Sequence, residues 1–439
     1  GATINNQGTA TNFGATGSAS WVTTVKTSGF TAVAGEGYFV NTTSGPISVN
    51  LPAGTAGAVV AIKDYAGTFD TNALTLVQNG SDKIGGSTVN ATLQTEGIAV
   101  TLVFIDSTQG WLVTDSGLQD EAPTAQYVTA TGGTIITCGD HKIHVFTGPG
   151  TLCVSCAGNA SGSNKVSYMV VAGGGAGGAT NRQSRPGSAA GAGGFREGKA
   201  PAFESYTASP LVAADGLTVP ATSYPITVGA GGTGGAGVNG PSSSGANSIF
   251  SSITSAGGGA GASPGGCEHA AGGSGGAARA GGPAGKAGNT PPVSPPQGNA
   301  GGNGGPCGVN FATGGGGGAT AAGTTAASSC AAGAGGFGAG TAITTSACYG
   351  TPGPSGSLRY YAGGGGGSVW GPSGGAAGGG YGGGANGQNG NPYANGIAGT
   401  TNTGGGGSGG TGGPGYPSCN VSGGNGGSGI VIIRYKFQN

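Results

Sequence analysis

Apolar and polar residues alternate with a period of two in the first part of the chain. Ile47, Val49 and Leu51 alternate with polar neighbours, which is the pattern of a strand with one buried face. Parts of four later segments follow the same alternation, namely 59–63, 73–77, 100–105 and 111–114. Each segment is therefore predicted to be a β-strand, and Trp111 is expected in the core.

Turn signals rich in Gly, Pro, Asn and Ser separate these strands, at 43–46, 52–54, 79–80 and 85–86. Their spacing is that of a small β-sandwich or barrel, and no segment before residue 116 has a helical period. We therefore expect an all-β, β-sandwich-like domain over residues 28–116. Residues 1–27 are expected to form an extended arm, and Gly1 is expected to follow processing or a longer preceding chain.

A polar stretch with Pro123 follows and predicts a linker over residues 117–127. Beyond it, the period of two returns in a short β-segment over residues 128–172. The predicted strands of this segment are 134–137, 142–147, 151–155 and 166–172.

Glycine dominates the rest of the chain, because 85 of the 109 glycines lie after residue 170. Five clusters repeat a small residue followed by two glycines, at 229–237, 271–277, 300–306, 408–414 and 422–428. Three residues per turn is the geometry of the polyproline II helix. An X-Gly-Gly pattern leaves two of its three faces bare, so neighbouring backbones can approach closely. We therefore expect a sandwich of polyglycine II helices over residues 173–429, with essentially no α-helix.

Two features indicate how such a lattice would be ordered. The unbroken runs Gly314–Gly318 and Gly363–Gly367 have no side chains and are expected in its interior. The apolar segments Tyr168–Val171 and Ile430–Tyr435 lie at its two ends, and we expect them to meet, with 430–439 as a closing strand. Ordering each glycine costs about 1–2 kcal/mol or more, so the lattice depends on its hydrogen bonds and on this closure.

Charge and composition argue against several classes of protein. The chain has 14 Lys and Arg against 14 Asp and Glu, whereas a nucleic-acid-binding protein carries a basic face. No apolar run approaches about 20 residues, so no membrane insertion is expected. Disorder usually accompanies high net charge, and collagen requires a strict Gly-X-Y period that is absent here.

Several segments resemble bacteriophage tail-fibre proteins of a type common in marine and cyanobacterial phages. Those that resemble the glycine-rich C-terminal domain are 170–175, 192–196, 223–231, 361–364 and 426–435. Those that resemble preceding β-regions of the same fibres are 38–45, 103–106, 111–113, 142–144 and 148–151. The resemblance implies an extracellular virion fibre or adhesin that recognises a host receptor, either a glycan or an outer-membrane protein. It also implies a homotrimer, joined to other virion tail proteins through its N-terminal side.

Two alternatives to receptor binding stay open from the sequence. In the first, the chain is a structural fibre or appendage component whose glycine lattice is a rigid spacer. In the second, it is an ice-binding or matrix protein, which would require a flat face of regularly spaced Thr. The outward positions here mix Ala, Ser, Thr, Asn and Pro, which disfavours the second alternative.

No catalysis or cofactor is predicted. The phosphate-binding pattern G-x-x-x-x-G-K-[ST] does not occur. A carboxylate pair for hydrolysis has no support in the glycine-rich half, because no acidic residue follows Glu268. We therefore expect neither an enzyme nor a catalytic residue.

Cys153 and Cys156 form a C-x-x-C pattern close to His141 and His144, residue types that bind zinc. The two histidines are three positions apart on a predicted strand and should face opposite sides, so no metal site is expected. Disulfides are favoured instead, because a virion protein outside the cell can keep them. The candidate disulfide cysteines are Cys138, Cys153, Cys156, Cys267, Cys307, Cys330, Cys348 and Cys419.

Aromatic residues between the glycine runs are the predicted contact residues. Aromatic side chains offer a large, stiff contact area with a polar handle. The candidates for receptor binding are Tyr349, Arg359, Tyr360, Trp370, Tyr393 and Tyr416. Arg359 and Trp370 are expected to be the most exposed of these, whereas Tyr361 and Tyr381 are expected to cap the ends of the lattice.

Overall fold

The structure is a computed structural model that describes residues 19–117, 126–159, 162–180, 185–237, 240–263, 269–308, 311–344, 346–371, 374–390, 393–413 and 421–438. The chain forms two compact units, Gly1–Thr124 and Ala125–Asn439. Their boundary falls in the predicted linker 117–127, of which residues 118–125 lie outside the described residues. The described residues form strands, turns and extended segments without a helix, which confirms the predicted all-β class. A search of these residues for an apolar helix long enough to cross a membrane found none.

The first unit contains two sheets. Its described strands are β1 (Ser20–Lys26), β2 (Phe30–Thr31), β3 (Glu36–Val40), β4 (Ile47–Asn50), β5 (Val59–Asp64), β6 (Leu74–Val77), β7 (Ala91–Leu93), β8 (Ala99–Phe104) and β9 (Trp111–Gly117). One sheet has the order β1-β3-β5-β8-β9 and the other the order β2-β4-β6-β7. Val40, Val49 and Leu102 lie in the core between them, and Trp111 is fully buried there as predicted.

Strands β1 to β6 alternate between the two sheets along the chain. β1, β3 and β5 pair in parallel, and so do β2, β4 and β6, whereas β7, β8 and β9 add antiparallel pairs. The two layers match the predicted sandwich-like architecture, but parallel winding replaces the hairpins of an antiparallel sandwich. A period of two is the same in both arrangements and does not distinguish them.

Residues 20–26, assigned from the sequence to an extended arm, instead form β1 at the edge of the first sheet. Most of the side chains of β1 are exposed, so its sequence shows no alternation of apolar and polar residues. The parallel ladder to β3, with Trp21 opposite Gly37, places it in the sheet. Residues 1–18 of the predicted arm lie outside the described residues.

The second unit combines strands with long glycine segments. Its described strands are β10 (Val128–Thr131), β11 (Thr134–Cys138), β12 (His141–Phe146), β13 (Gly150–Ala157), β14 (Lys165–Val171), β15 (Phe195–Gly198), β16 (Val212–Ala213), β17 (Leu217–Thr218), β18 (Ser223–Thr227), β19 (Ser248–Phe250), β20 (Ile253–Ser255), β21 (Ala339–Thr341), β22 (Arg359–Tyr361) and β23 (Ile430–Lys436). They form one sheet of order β10-β13-β18-β19-β20, one of order β11-β12-β23-β14-β15-β16 with β17 added to β14, and the pair β21-β22.

The two predicted end segments of the lattice meet in the sheet that contains β14 and β23. β14 and β23 pair antiparallel, with Val171 opposite Ile430, which confirms the predicted closure. Alternate residues of β23 face two different cores. Val431 and Ile433 pack in the core shared with the five-stranded sheet, whereas Ile432 packs in a second core that contains Tyr361.

The glycine segments are joined by backbone hydrogen bonds that repeat every three residues. Successive N–H groups of Gly314–Gly318 donate to three neighbouring segments in turn, and the cycle then restarts. In the order of the donors, the acceptors are the carbonyl oxygens of Ala278, Thr324, Gly365, Gly275 and Ala321, at N···O distances of 2.8 to 3.1 Å. This run therefore donates to three neighbouring segments, whereas a strand within a sheet bonds to at most two neighbours.

Close approach of these backbones explains why the positions are glycine. A Cβ at Gly315 would overlap the carbonyl oxygen of Ala334, and a Cβ at Gly316 would overlap that of Ala190. The runs Gly314–Gly318 and Gly363–Gly367 are buried, as predicted. Apolar burial is small here, so the order of the lattice rests on hydrogen bonds of about 0.5–1.5 kcal/mol net each.

Candidate binding surface

The short pair β21-β22 connects the second core to the surface. Tyr361 lies opposite Ala339 and is fully buried in the core with Ile432. Tyr360 lies opposite Gly340, and because neighbouring residues of a strand face opposite sides, its ring points away from that core. One strand therefore anchors a tyrosine inside and presents the next one outside.

Two glycines hold the ring of Tyr360 in place. A Cβ at Gly340 would lie 2.7 Å from the ring, and a Cβ at Gly353 would overlap it. The ring is thus packed closely against backbone at both positions. Thr351 and Tyr360 also exchange backbone hydrogen bonds of 3.0 and 2.9 Å, which fixes the loop that carries Gly353.

Two further aromatic rings continue from Tyr360 across the surface. The ring centroid of Tyr381 lies 6.2 Å from that of Tyr360, and the centroid of Phe337 lies 5.3 Å from that of Tyr381. Phe337 is 52% exposed and Tyr381 is 44% exposed, while Tyr360 is half-buried. We call Phe337, Tyr360 and Tyr381 the aromatic ridge.

The backbone on both sides of the ridge is fixed by hydrogen bonds. The Gly338 N–H donates to the Tyr381 carbonyl at 2.8 Å, and the Thr320 N–H donates to the Phe337 carbonyl at 2.9 Å. The Gly382 N–H donates to Thr351 Oγ1 at 3.0 Å. Phe337 directly follows the buried Gly335–Gly336, and Tyr381 directly follows the buried Gly380, so the ridge is built on the ends of glycine runs rather than on a free loop.

Arg359 is committed to its own loop. Its guanidinium donates to the carbonyl oxygens of Tyr349 at 2.8 Å, Ala347 at 3.0 Å and Gly350 at 2.6 Å. The side chain is half-buried, which differs from the expected exposed contact. Three carbonyl acceptors account for this, because they hold the charged group against the loop backbone. Tyr349 is also half-buried and packs against the second core.

The other predicted contact residues lie elsewhere in the second unit. Trp370 is half-buried, its backbone N–H donates to the Phe311 carbonyl at 3.1 Å, and its indole lies beside Gly412. Tyr393 is 47% exposed and precedes Ala394, which pairs with Thr411. Tyr416 lies outside the described residues. Of the six candidates, the structure therefore brings Tyr349, Arg359 and Tyr360 together.

A buried ionic cluster lies beneath the same region. Glu204 Oε2 accepts from Arg434 Nε at 2.7 Å and lies 3.3 Å from His141 Nε2. Burial raises the pKa of Glu204, while the charges of Arg434 and His141 oppose that shift. The Arg434 guanidinium also lies over the ring of Tyr206, 5.3 Å from its centroid. The cluster joins β12 and β23 to the loop that follows β15, and its carboxylate is too buried to meet a ligand.

A second buried carboxylate links β15 to β21. Glu197 accepts from Thr341 Oγ1 at 2.6 Å and from the Ser209 N–H at 2.8 Å. Burial raises its pKa, and these hydrogen bonds oppose the shift. Because Thr341 belongs to the strand that pairs with β22, this contact helps to hold the base of the ridge.

Five of the candidate cysteines do not form the expected disulfides. Cys138, Cys153, Cys156, Cys307 and Cys348 are free thiols. The register explains three of them, because Cys138 lies opposite His141, Cys153 opposite Thr131 and Ser223, and Cys156 opposite Thr129. Cys330 lies beside the Ser329 hydroxyl, and Cys267 and Cys419 lie outside the described residues.

The two histidines near the C-x-x-C pattern face different surroundings. His141 Nε2 lies 3.0 Å from the Phe203 carbonyl, whereas His144 contacts the Gly132 carbonyl and the Tyr435 hydroxyl. Burial lowers the pKa of His144. Within the part of the chain that the structure describes, no group of three or more His, Cys, Asp or Glu is arranged to hold a metal ion.

Sequence reasoning missed two of the three ridge residues. Tyr381 is among the expected caps of the lattice, and Phe337 is not among the residues that the sequence indicates. Both directly follow a short glycine run, Gly335–Gly336 and Gly378–Gly380. That shared position was the available signal, since an aromatic side chain does not fit between closely packed glycine backbones.

Comparison with known proteins places the second unit in a family. A family model described as a glycine-rich domain matches residues 147–436. The match begins before β13 and ends at the last residue of β23, so it includes the lattice and its closing strands. Among curated proteins, a search found no match to this chain.

Proposed function

The chain belongs to this glycine-rich domain family, and we propose that it is a surface fibre or adhesin of a bacteriophage virion that recognises a host receptor during adsorption. The observation that carries the proposal is the aromatic ridge, because exposed and rigidly held rings are typical anchors of recognition surfaces. The resemblance of the glycine-rich segments to phage tail fibres supplies the setting, a virion exposed to the outside of the cell.

In this proposal the glycine runs are polyglycine II helices that act as a rigid support. A helix with three residues per turn directs successive N–H groups to three neighbours, and the acceptors of Gly314–Gly318 follow that order. The outer runs support it as well, because Ala230, Thr233 and Ala236 are exposed whereas Gly232 and Gly235 are buried. A support of this kind keeps surface residues in place without a large apolar core.

We further propose that the chain is a homotrimer that joins other tail proteins through its N-terminal side. This part of the proposal rests on the resemblance alone. Light scattering during size-exclusion chromatography tests it, with an expected mass of three times the 40.5 kDa chain. A mass equal to one chain across micromolar concentrations would refute the trimer without affecting the ridge.

Binding of the intact chain to bacterial cells tests the proposed function. Fluorescently labelled protein should bind saturably to some strains in a panel of marine and cyanobacterial isolates, and an excess of unlabelled protein should compete. Exchange of the loop over residues 346–358, which lies between β21 and β22 and packs against Tyr360, for a glycine–serine segment of equal length should abolish this binding. Exchange of residues 393–402, which lie between other runs, is the matched control.

The structural alternative makes the opposite prediction. If the lattice is only a spacer, the intact and cooperatively folded chain should bind none of the strains. Binding that survives the exchange at 346–358 and disappears with the exchange at 393–402 would keep the adhesin role and place recognition around Tyr393 instead.

A further inference from the structure

We propose that the aromatic ridge binds a neutral glycan, with sugar rings stacked on Phe337 and Tyr381. The inference rests on the proposed function and specifies the class of receptor. Its geometric basis is the row of three rings, whose centroids lie 5.3 and 6.2 Å apart and whose planes are tilted by 49° and 52°. Consecutive tilted faces can each receive one apolar face of a sugar ring.

The charge around the ridge favours a neutral ligand. The glycine-rich half has no acidic residue after Glu268, and Glu197 near the base of the ridge is buried. Arg359, the cation on the same strand, donates its guanidinium hydrogen bonds to three backbone carbonyl oxygens. Among the described residues around it, the ridge therefore offers neither an exposed carboxylate for a cationic ligand nor an uncommitted guanidinium for an acidic sugar.

The size of the ridge favours a glycan over a protein. An aromatic side chain contributes about 150–250 Å² when buried. Two rings here are about half exposed and the third is half-buried, so together they offer on the order of 300 Å². A stable protein partner usually covers about 800 Å² on each side. A few sugar units match the smaller area.

The ridge is also partly ordered before binding, which suits a ligand whose individual contacts contribute little binding free energy. Gly340 and Gly353 pack against the ring of Tyr360, and the Gly338 N–H fixes the backbone of Tyr381. The ring of Tyr360 and the backbone of Tyr381 are therefore ordered before a ligand binds, which reduces the conformational entropy lost on binding. Tyr360 and Tyr381 add hydroxyl groups at the edges of their rings, which suits a ligand with apolar faces and hydroxyl edges.

Direct binding of oligosaccharides to the intact chain tests the inference. Neutral and acidic oligosaccharides are screened on an array, and the best ligand is measured by titration calorimetry. We expect a neutral ligand, and weaker binding by about tenfold or more in Phe337→Ala and in Tyr381→Ala. Tyr381→Phe should stay within about threefold of the wild type, because the ring face carries the contact. Tyr65→Ala, at a tyrosine in the first unit that is 58% exposed, is the matched control and should bind normally.

Several outcomes would overturn the inference. They are the absence of any neutral ligand, a preference for acidic glycans, and unchanged affinity in both alanine variants that still melt like the wild type. Cell binding measured in parallel separates the two proposals. Cells that lose binding after periodate treatment support a glycan, whereas cells that lose it only after protease treatment indicate a protein receptor and contradict it. Oligosaccharide binding without cell binding would retain the ridge and refute the adhesin role.

Discussion

Val171 and Ile430 are register partners in the antiparallel strands β14 and β23. The chain therefore leaves the glycine lattice beside the residue at which it entered. Every glycine run between them belongs to one closed loop of chain, whose ends are held by a strand pair with apolar residues on both faces. The same second core holds Tyr361, and through β22 it positions the ridge. Order in the lattice and order at the surface are thus linked.

Substitution of an interior glycine tests the close packing of the lattice. A Cβ in Gly316→Ala would overlap the carbonyl oxygen of Ala190, and the backbone has no room to move away. We expect the second unit to lose about 3 kcal/mol or more of unfolding free energy, measured by urea denaturation. Gly356→Ala is the control, because its Cβ would meet nothing within 4 Å; its stability should stay within about 0.5 kcal/mol. Equal stability of the two variants would contradict this packing.

Truncation of a closing residue tests the clamp. Ile432 is fully buried and lies opposite Met169, so Ile432→Ala leaves a cavity and should cost about 2–5 kcal/mol. Ile397→Ala removes the same atoms from a side chain that is 42% exposed and should cost less than about 1 kcal/mol. Thermal melts of both variants give the comparison. The clamp has no special role if Ile432→Ala melts together with Ile397→Ala.

The buried carboxylate of Glu197 makes the stability of the second unit depend on pH. Burial raises its pKa in the folded state, so the folded protein binds this proton more tightly than the unfolded chain does. Its contribution is therefore complete below the ordinary glutamate pKa and is lost as the pH rises through the raised value. When the pH is lowered from 7 to 5, the unfolding free energy of Glu197→Gln, measured by urea denaturation, should therefore rise less than that of the wild type. Glu96→Gln, at an exposed position, should keep the wild-type slope, and an unchanged slope in Glu197→Gln would contradict the assignment.

Free thiols should be directly reactive in the folded protein. Cys153, Cys307 and Cys348 are exposed and unpaired, so iodoacetamide should label all three without reductant or denaturant. Peptide mapping by mass spectrometry identifies the labelled sites. Labelling of these residues only after reduction would show that they form disulfides and would restore the expectation drawn from the sequence.

Much of the fold follows from the sequence because its two patterns have direct physical causes. Alternation over Val59–Lys63 and the apolar runs at 168–171 and 430–435 predicted strands that the structure contains. The X-Gly-Gly period predicted closely packed glycine backbones, and the structure joins the glycine runs by backbone hydrogen bonds. The direction of strand pairing was not predictable, because a period of two is shared by parallel and antiparallel sheets.

The surface was less predictable than the fold. Residue type indicated Tyr360, yet Arg359 is held by carbonyl groups of its own loop, which no local pattern reveals. Phe337 and Tyr381 follow different glycine runs, and hydrogen bonds between these runs bring the two rings side by side at the surface. Contacts between distant segments therefore decided which aromatic residues reach solvent.

Hydrogen exchange at the amides of Gly314–Gly318 tests the central claim most directly. The account holds that this coreless region is an ordered lattice, because each of these N–H groups has a backbone acceptor on another run. Measured by mass spectrometry on the intact chain, these amides should exchange as slowly as those of β14 and β23, with protection close to that set by global unfolding of the unit. Exchange at the rate of an unprotected chain, while β14 and β23 stay protected, would contradict the lattice and the rigid ridge built on it.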